Sequence, residues 1–366
     1  MDVEASEFTR LLCAGTPLID VRAPVEFNKG TLPHAVNLPI LNDDERRRVG
    51  ICYKEHGPET ATRLGHRIVS GKTRTERIAQ WTTFRNRFAD VCLYCARGGQ
   101  RSTIAADWMR EQGAPVRRIV GGFKALRRHL LDATERLASG PLLIVGGQTG
   151  CGKTALLGQI EHGLDLEGHA NHRGSAFGRR LTPQPSQVMF ENTLAIAYLR
   201  LELAGLQGRC PVFEDESHTI GAIALPPHLF SAMKRARLVL IEADADERAW
   251  HIYDEYVVQQ RAEFVAAHGD GGVDAFADYL LNSLDAISKR LGGERHARIR
   301  SLMTAAIANH ERTPERHLAW ISALLADYYD GMYDYQIERK SERIAFRGSF
   351  DDVLAWVRTY RPSAMD

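Results

Sequence analysis

A chain of 366 residues with 44% hydrophobic and 25% charged content has the make-up of a folded globular protein and the length of about two domains, which excludes a disordered or fibrous chain. Forty-seven basic against 46 acidic side chains leave a formal net charge of +1, so a nucleic-acid partner has to be held by local patches rather than by an overall basic field. The acidic start, MDVEASEFTR, and the lack of any run approaching the roughly 18 apolar residues of a membrane span lead us to expect a soluble, cytoplasmic protein with no membrane partner. Six scattered cysteines (Cys13, Cys52, Cys92, Cys95, Cys151 and Cys210) in a long chain suggest reduced thiols rather than a disulfide scaffold.

In chain order, short apolar runs alternate with amphipathic stretches: SEFTRLL, PLIDVR, HAVNLPI, a polar helical stretch around ERIAQWTTFRNRF, then DVCLYC, STIAADWMREQG and VRRIVGG. Strands separated by helices imply an α/β layer with a mostly parallel sheet, over residues 1–130. The helical stretch ALRRHLLDATERLASGP then runs out into a Ser-Gly-Pro breaker, which sets a linker at 131–139 and a second α/β domain from 140 to 366. Further strands are expected at CPVFEDE and ARLVLIEAD. From about Arg248 the pattern is helical almost to the end, a helical C-terminal subdomain over 248–366.

The second domain opens on Gly147-Gln148-Thr149-Gly150-Cys151-Gly152-Lys153-Thr154, which fits G-x-x-x-x-G-K-[ST] and follows the apolar strand Leu142 to Val145. Gly147, Gly150 and Gly152 let backbone N–H groups turn inward around an anion, Lys153 reaches terminal phosphate oxygens, and the Thr154 hydroxyl suits Mg²⁺. A helix after the loop would add its positive end. A metal-holding acid is expected at the end of a neighbouring strand, where Glu214 and Asp215 are the preferred pair and Glu242 the second candidate; acids there serve as helix caps about as often. The loop implies phosphate binding without implying ATP hydrolysis.

In the first domain Cys95 ends an apolar run and opens the loop Cys95-Ala96-Arg97-Gly98-Gly99-Gln100-Arg101-Ser102, which leads into a helix. A thiol placed among N–H dipoles and the cations Arg97 and Arg101, with Gly98 and Gly99 giving the backbone room to curl, is a candidate nucleophile. Cys92, on the strand itself, suits a buried structural thiol better. Although Cys92 and Cys95 form C-x-x-C, no second pair stands at zinc spacing, and His169 with His172 lacks a third ligand, so no structural metal is expected.

Four blocks in order, Ile19-Asp20-Val21-Arg22-Ala23-Pro24-Val25-Glu26-Phe27, Gly30 to Pro39, the Cys95 loop, and Gly121-Gly122-Phe123-Lys124-Ala125-Leu126, resemble a rhodanese domain. That resemblance implies a chalcogen carried on Cys95. Five residues separate Cys95 from Arg101, where many sulfur-carrying rhodaneses have four, and the wider loop is similar to that of rhodanese-like dual-specificity phosphatases. Fusion to a P-loop domain, together with His172 to Gly178, Gln184 to Gln187, Phe190 to Asn192, Glu214 to Ser217 and Tyr328 to Tyr333, resembles the tRNA 2-selenouridine synthase family over essentially the whole chain.

The resemblance implies replacement of sulfur by selenium in the wobble 2-thiouridine of tRNA, with selenophosphate and geranyl diphosphate as co-substrates and a selenophosphate-producing enzyme as a partner. Geranylation turns a thiocarbonyl sulfur into a thioether that can leave as a thiol, and both donors carry phosphate groups that need N–H cradles. The P-loop is then expected to hold the diphosphate. An ATP-dependent kinase or phosphatase fusion, with Lys153 and Thr154 acting on ATP, and a sulfur-relay adaptor for RNA are the alternatives. For tRNA or the prenyl donor, the loop with Arg173, Phe177, Arg179 and Arg180 is the candidate contact, while the basic stretch Lys289 to Arg300 reads as a solvated face and Tyr328, Tyr329 and Tyr333 as core packing.

Overall fold

The protein, in a computed structural model, is described over residues 2–310 and 312–363. It forms two compact units: the first holds the chain up to Arg136 together with Pro185–Ala204, the second Leu137–Gln184 together with Gly205 onward.

The apolar runs of the first unit become five short strands, β1 (Asp2–Val3), β2 (Leu18–Asp20), β3 (Ala35–Asn37), β4 (Cys92–Tyr94) and β5 (Arg117–Ile119), paired in parallel in the order β1-β5-β4-β2-β3. Strands β2 and β4 are buried throughout, as the middle strands of a sheet covered on both faces should be. Their core gathers Ile19, Leu93, Met109 and the stacked rings of Trp81 and Trp108, and Trp81 Nε1 donates to the Leu38 carbonyl at 2.8 Å. Between β3 and β4 lie two helices, Asp43–Ile68 and Gly71–Arg85. The first starts on a reciprocal cap in which Asn42 accepts from Glu45 N and Glu45 accepts from Asn42 N, and it kinks at Gly57, whose φ of +78° precedes Pro58.

The helix Gly122–Ser139 continues unbroken through 131–139, so the stretch expected as a linker is its last turns; the Ser-Gly-Pro breaker acts at the end of the helix and not before it. A second departure is the helix Gln187–Ala204. Although it lies beyond the P-loop in sequence, it packs in the first unit, burying Phe190, Leu194 and Leu199. Its fully buried Asn192 donates to the Thr31 carbonyl at 2.6 Å and accepts from Arg127 at 2.7 Å, while Arg127 also pairs with Glu191.

In the second unit β6 (Leu143–Gly147) and β7 (Val212–Glu214) are joined by a small antiparallel hairpin, β8 (Thr219–Ile220) and β9 (Ile223–Ala224), to β10 (Arg237–Ile241) and then, much later, β11 (Ile344–Gly348). The sheet order is β11-β10-β6-β7, all parallel. The C-terminal part is therefore not helical throughout: a helical subdomain packs around Leu280, Ile299, Met303 and Trp320, but β11 and the helix Phe350–Thr359 return to the sheet. Residues Ile344 to Gly348 alternate half-buried and exposed, as an edge strand does, and five residues are too few to break a helical pattern by eye. Two helical turns, Asp254–Gln259 and Leu325–Tyr329, are widened to π geometry. Among the described residues no helix is long and apolar enough to cross a membrane.

Because Asn192 satisfies two groups of the first unit at once, Asn192→Ala should destabilise that unit by about 1–3 kcal/mol. Alkylation of the fully buried Cys92 thiol across a urea series should show it, with the midpoint moving to lower urea.

Candidate functional site

Cys95 directly follows β4, and its loop closes into the helix Gln100–Glu111. The loop is held from behind by the turn at Gly121: Phe123 N donates to the Cys95 carbonyl at 2.8 Å and Lys124 N to that of Ala96 at 3.0 Å. Clearance demands glycine on both sides. Gly98 (φ +64°) approaches the backbone nitrogen of Gly121 so closely that a Cβ would lie 2.5 Å from it, and a Cβ on Gly122 (φ +59°) would strike the Cys95 carbonyl oxygen. The turn is fixed in its own right, since Arg22, buried and forked onto Asp20, lies 3.9 Å over the Phe123 ring.

The Cys95 thiol lies 3.2 Å from Ser102 Oγ, which donates to the Gly99 carbonyl at 2.9 Å. Arg101 is gripped by both oxygens of Glu26 at 2.6 and 3.1 Å, and Glu26 also holds Arg46 at 2.9 Å. Burial opposes the charge on Glu26, yet the Arg101 and Arg46 guanidiniums and the Ala23 N–H keep its carboxyl below the ordinary value. Of the two flanking cations, Arg97 is thus the exposed one and Arg101 the anchored one. Burial pushes the Cys92 thiol up to about 12, an inert group on the strand.

In the second unit the loop after β6 leads into a helix of only five residues, Lys153–Leu157. Gly150 and Gly152 take φ of +86° and +91°, and a Cβ on Gly147 would lie 2.5 Å from Cys151 Sγ and 2.6 Å from the Ile241 carbonyl oxygen. Lys153 Nζ donates to the Gly147 carbonyl at 3.1 Å and sits 5.6 Å from the Tyr333 ring centre. Burial works against the charge of Lys153, but the acidic groups of Cys151, Tyr333, Glu216 and Glu167 hold its pKa above the ordinary value. Arg248, nearly fully buried, forks onto Asp330 at 2.8 and 2.9 Å and donates to the Thr149 carbonyl at 3.3 Å, which braces the loop from its outer side.

The carboxylates behind the lysine are arranged differently from the expectation. Asp215 is paired with Lys340 at 2.5 Å, and Glu214, buried, accepts from Glu167 N at 2.8 Å with its second oxygen unpartnered. It is Glu167, 3.5 Å from the Thr154 hydroxyl and bound to Gly174 N, and Glu216 that face Lys153. Burial and the neighbouring Glu167 push Glu216 up to about 8, the two carboxyls being hydrogen-bonded to each other. Among the described residues no group of three His, Cys, Asp or Glu side chains is placed to hold a metal ion.

A cavity of about 890 Å³ opens over Gly152, Lys153, Thr154, Glu216, Tyr333 and Phe350. Thr149, Ser175, Tyr256 and Tyr329 border both it and an apolar recess lined by Phe177, Ile252, Trp320 and Leu324. Two of the Arg-loop expectations change here. Phe177 is buried and stacked on Trp320, 5.9 Å between ring centres, so it is turned into the helical core and not offered to a base. Arg173 is buried too, paired with Glu255 at 2.6 Å and lying 4.9 Å over the Tyr256 ring, which consumes its charge internally. Arg179 is exposed and Arg180 half-buried. The basic stretch at Lys289 to Arg300 is largely neutralised: Arg298 pairs with Asp327, and Arg300 and His296 with Asp285. Tyr329 is core, with Tyr328 and Tyr333 packed against it.

The two units define a rhodanese-like domain joined to a P-loop domain. Family models match each part: a rhodanese-like domain over residues 4–129 and a tRNA 2-selenouridine synthase AAA domain over 140–363. Among curated proteins, tRNA 2-selenouridine synthases are similar end to end: that of Pseudomonas fluorescens strain Pf-5 is 47% identical over 99% of this chain and 100% of its own, that of Azotobacter vinelandii 47% over all of both, and that of Cronobacter sakazakii 46% over 97% and 96%. The chain belongs to the tRNA 2-selenouridine synthase family, and it is an enzyme of the transferase type.

Glu167, Glu216, Arg248 and Asp330 have no assigned role in the sequence reading, although Glu216 and Asp330 sit within motif blocks; the missing signal is three-dimensional, a half-buried lysine with acids around it. The raised Glu216 value carries a sign. Between the ordinary value of 4.5 and about 8 the folded chain holds a proton that the unfolded chain has released, so stability falls as pH rises through that window. Glu216→Gln should flatten that fall and raise stability at its upper end, read as urea midpoints on either side of the window.

Proposed function

We propose that this chain replaces the sulfur of wobble 2-thiouridine in tRNA by selenium in two chemical steps, with geranyl diphosphate and selenophosphate as co-substrates. The full-length similarity to proteins named tRNA 2-selenouridine synthase supports the overall reaction. One observation carries the division of labour: the charged, half-buried Lys153 stands at a cavity of about 890 Å³ that suits a diphosphate head, beside an apolar recess of about 20 Å³ that a hydrocarbon tail would have to open.

In the first step the thiouridine sulfur attacks C1 of the geranyl group, the C–O bond breaks, and the diphosphate leaves with the electron pair; the N3 proton is released. Lys153 and the N–H groups from Gly150 to Thr154 stabilise the charge that builds on the departing oxygen. Phe177, Ile252, Trp320 and Leu324 would shield the tail from water once the recess opens to take it. Both donors are already activated, so ATP is not required. Mg²⁺ is given no step, because Asp215 is committed to Lys340 and Glu214 to Glu167 N.

In the second step the selenium of selenophosphate attacks C2, the C–S bond breaks and geranyl thiol leaves with a proton; water then breaks the Se–P bond, so that selenium stays on C2 and inorganic phosphate departs. The Cys95 loop serves this step, with Cys95 as the selenium-handling thiol and Arg97, Gly98, Gly99 and Arg101 forming the surround of the anion. A selenophosphate-producing enzyme is the supply this chemistry calls for.

Mass analysis of nucleosides from thiolated tRNA incubated with both donors tests the scheme. Cys95→Ala should abolish 2-selenouridine and leave the geranylated nucleoside, whereas Lys153→Ala should lower geranylation roughly a hundredfold or more. Full selenation by the Cys95 variant, or unchanged geranylation with loss of an ATPase activity in the Lys153 variant, would sink it. Arg179 and Arg180 are the Arg-loop groups left to meet RNA phosphates. Replacing both by Ala should weaken tRNA binding and reduce the slope of log K against log salt by roughly two at most.

A further inference from the structure

The second unit has a cationic cleft that the proposed reaction does not use. The P-loop follows the C-terminal end of β6, whereas Arg209 precedes the N-terminal end of the parallel neighbour β7, with Leu143 and Val212 in register. The two places lie at opposite edges of the sheet, about 15 Å of strand apart. At the N-terminal edge a cleft of about 560 Å³ is lined by Gln159, Glu161, His162, Arg209 and Arg358, among others.

Its donors are under-satisfied. The Arg209 side chain is only 18% exposed, yet its acidic partner, Glu161, stands off at 3.5 Å with its own side chain 87% exposed, and its other hydrogen bond, to Gln207 Oε1, is as long. Arg209 Nε is buried with no partner at all. A guanidinium withdrawn this far from water with only a loose, exposed counter-ion is costly. Beside it His162 is 4% exposed, and its Nδ1 is also buried and unpartnered. Burial, Arg209 and Arg361 push the His162 imidazole down to about 4 against the pull of Glu161, so the ring is neutral at physiological pH and one of its nitrogens carries a hydrogen. Arg358 completes the set from the helix Phe350–Thr359, donating to the Gln159 carbonyl at 3.2 Å.

We propose that this cleft is a second anion site, one that takes a phosphate group between Arg209 and Arg358 with His162 Nδ1 as a neutral donor. A tetrahedral dianion or a phosphodiester supplies what the cleft lacks: several acceptor oxygens for forked guanidinium donors and a counter-charge for Arg209. The phosphate can belong to an RNA backbone or to a small phosphate ester, and the site is independent of the chemistry assigned to Cys95 and Lys153.

A local reporter separates it from the other phosphate-binding loops. In the full chain with ¹³C-labelled histidine, the His162 signal, assigned by its loss in His162→Gln, should shift saturably as inorganic phosphate is added. Arg209→Gln should weaken that response at least tenfold. Should Arg209→Gln fail to fold, the exposed Arg358→Gln gives the same reading at smaller amplitude. A second titration uses a tRNA transcript. A His162 shift with tRNA, and a salt slope reduced by roughly two at most when Arg209→Gln and Arg358→Gln are combined, assigns the site to the RNA backbone. A shift with phosphate alone assigns it to a small phosphate ester. A His162 signal that moves with neither, in a folded chain, overturns the proposal.

Discussion

A half-buried lysine ammonium must keep its charge if it is to meet an anion, and much of the second unit is arranged around that demand. Burial alone would lower the pKa of Lys153. The acidic groups of Cys151, Tyr333, Glu216 and Glu167 oppose this, but the two carboxyls close together cannot both ionise at no cost, and the strain is visible as a proton retained on Glu216 to about 8. One negative charge shared between two acids offsets one positive charge, which leaves the loop near neutrality and ready for a ligand that brings its own charge. Arg248 and Asp330 settle their charges on each other, so the brace they form under the Thr149 carbonyl adds no field of its own.

The Cys95 loop follows the same economy by other means. Its clearance comes from glycines, Gly98 against Gly121 and Gly122 against the Cys95 carbonyl, and its support passes back through Phe123 to the buried Arg22–Asp20 pair. Arg101 is oriented by Glu26 and not by the thiol, so the guanidinium is already positioned when the loop is empty and a ligand need not order it. Arg97, exposed, keeps its freedom.

The parts of the fold that were legible in the sequence are those in which one stretch of chain carries its own reason. The strand β6, the glycine pattern from Gly147 to Gly152 and the position of Cys95 at a strand end all depend on neighbours a few residues away. The helix Asp43–Ile68 went unnoticed because it is polar on most of its surface and broken by Gly57 and Pro58, so periodicity gives little warning of it. Arg173 and Phe177 resemble contacts for RNA until their partners are known; Glu255 and Trp320, the groups that absorb them, lie dozens of residues downstream. The same holds for Asp215, whose lysine is residue 340. Long-range pairing is what a linear reading lacks.

The helix Gln187–Ala204 gives the chain a history during synthesis. The N-terminal unit waits for a segment encoded after the P-loop, so the ribosome must make the phosphate-binding strand and loop before the first unit has its last helix. Domains that emerge in order usually fold in order, each finished before the next begins. Here the chain leaves the first unit at Arg136 and returns at Pro185 before leaving again at Ala204, which interlocks the two folding events. A gene cut at the apparent domain boundary would strand that helix with the wrong half, and the two units are thereby kept on a single polypeptide by the order in which it is made.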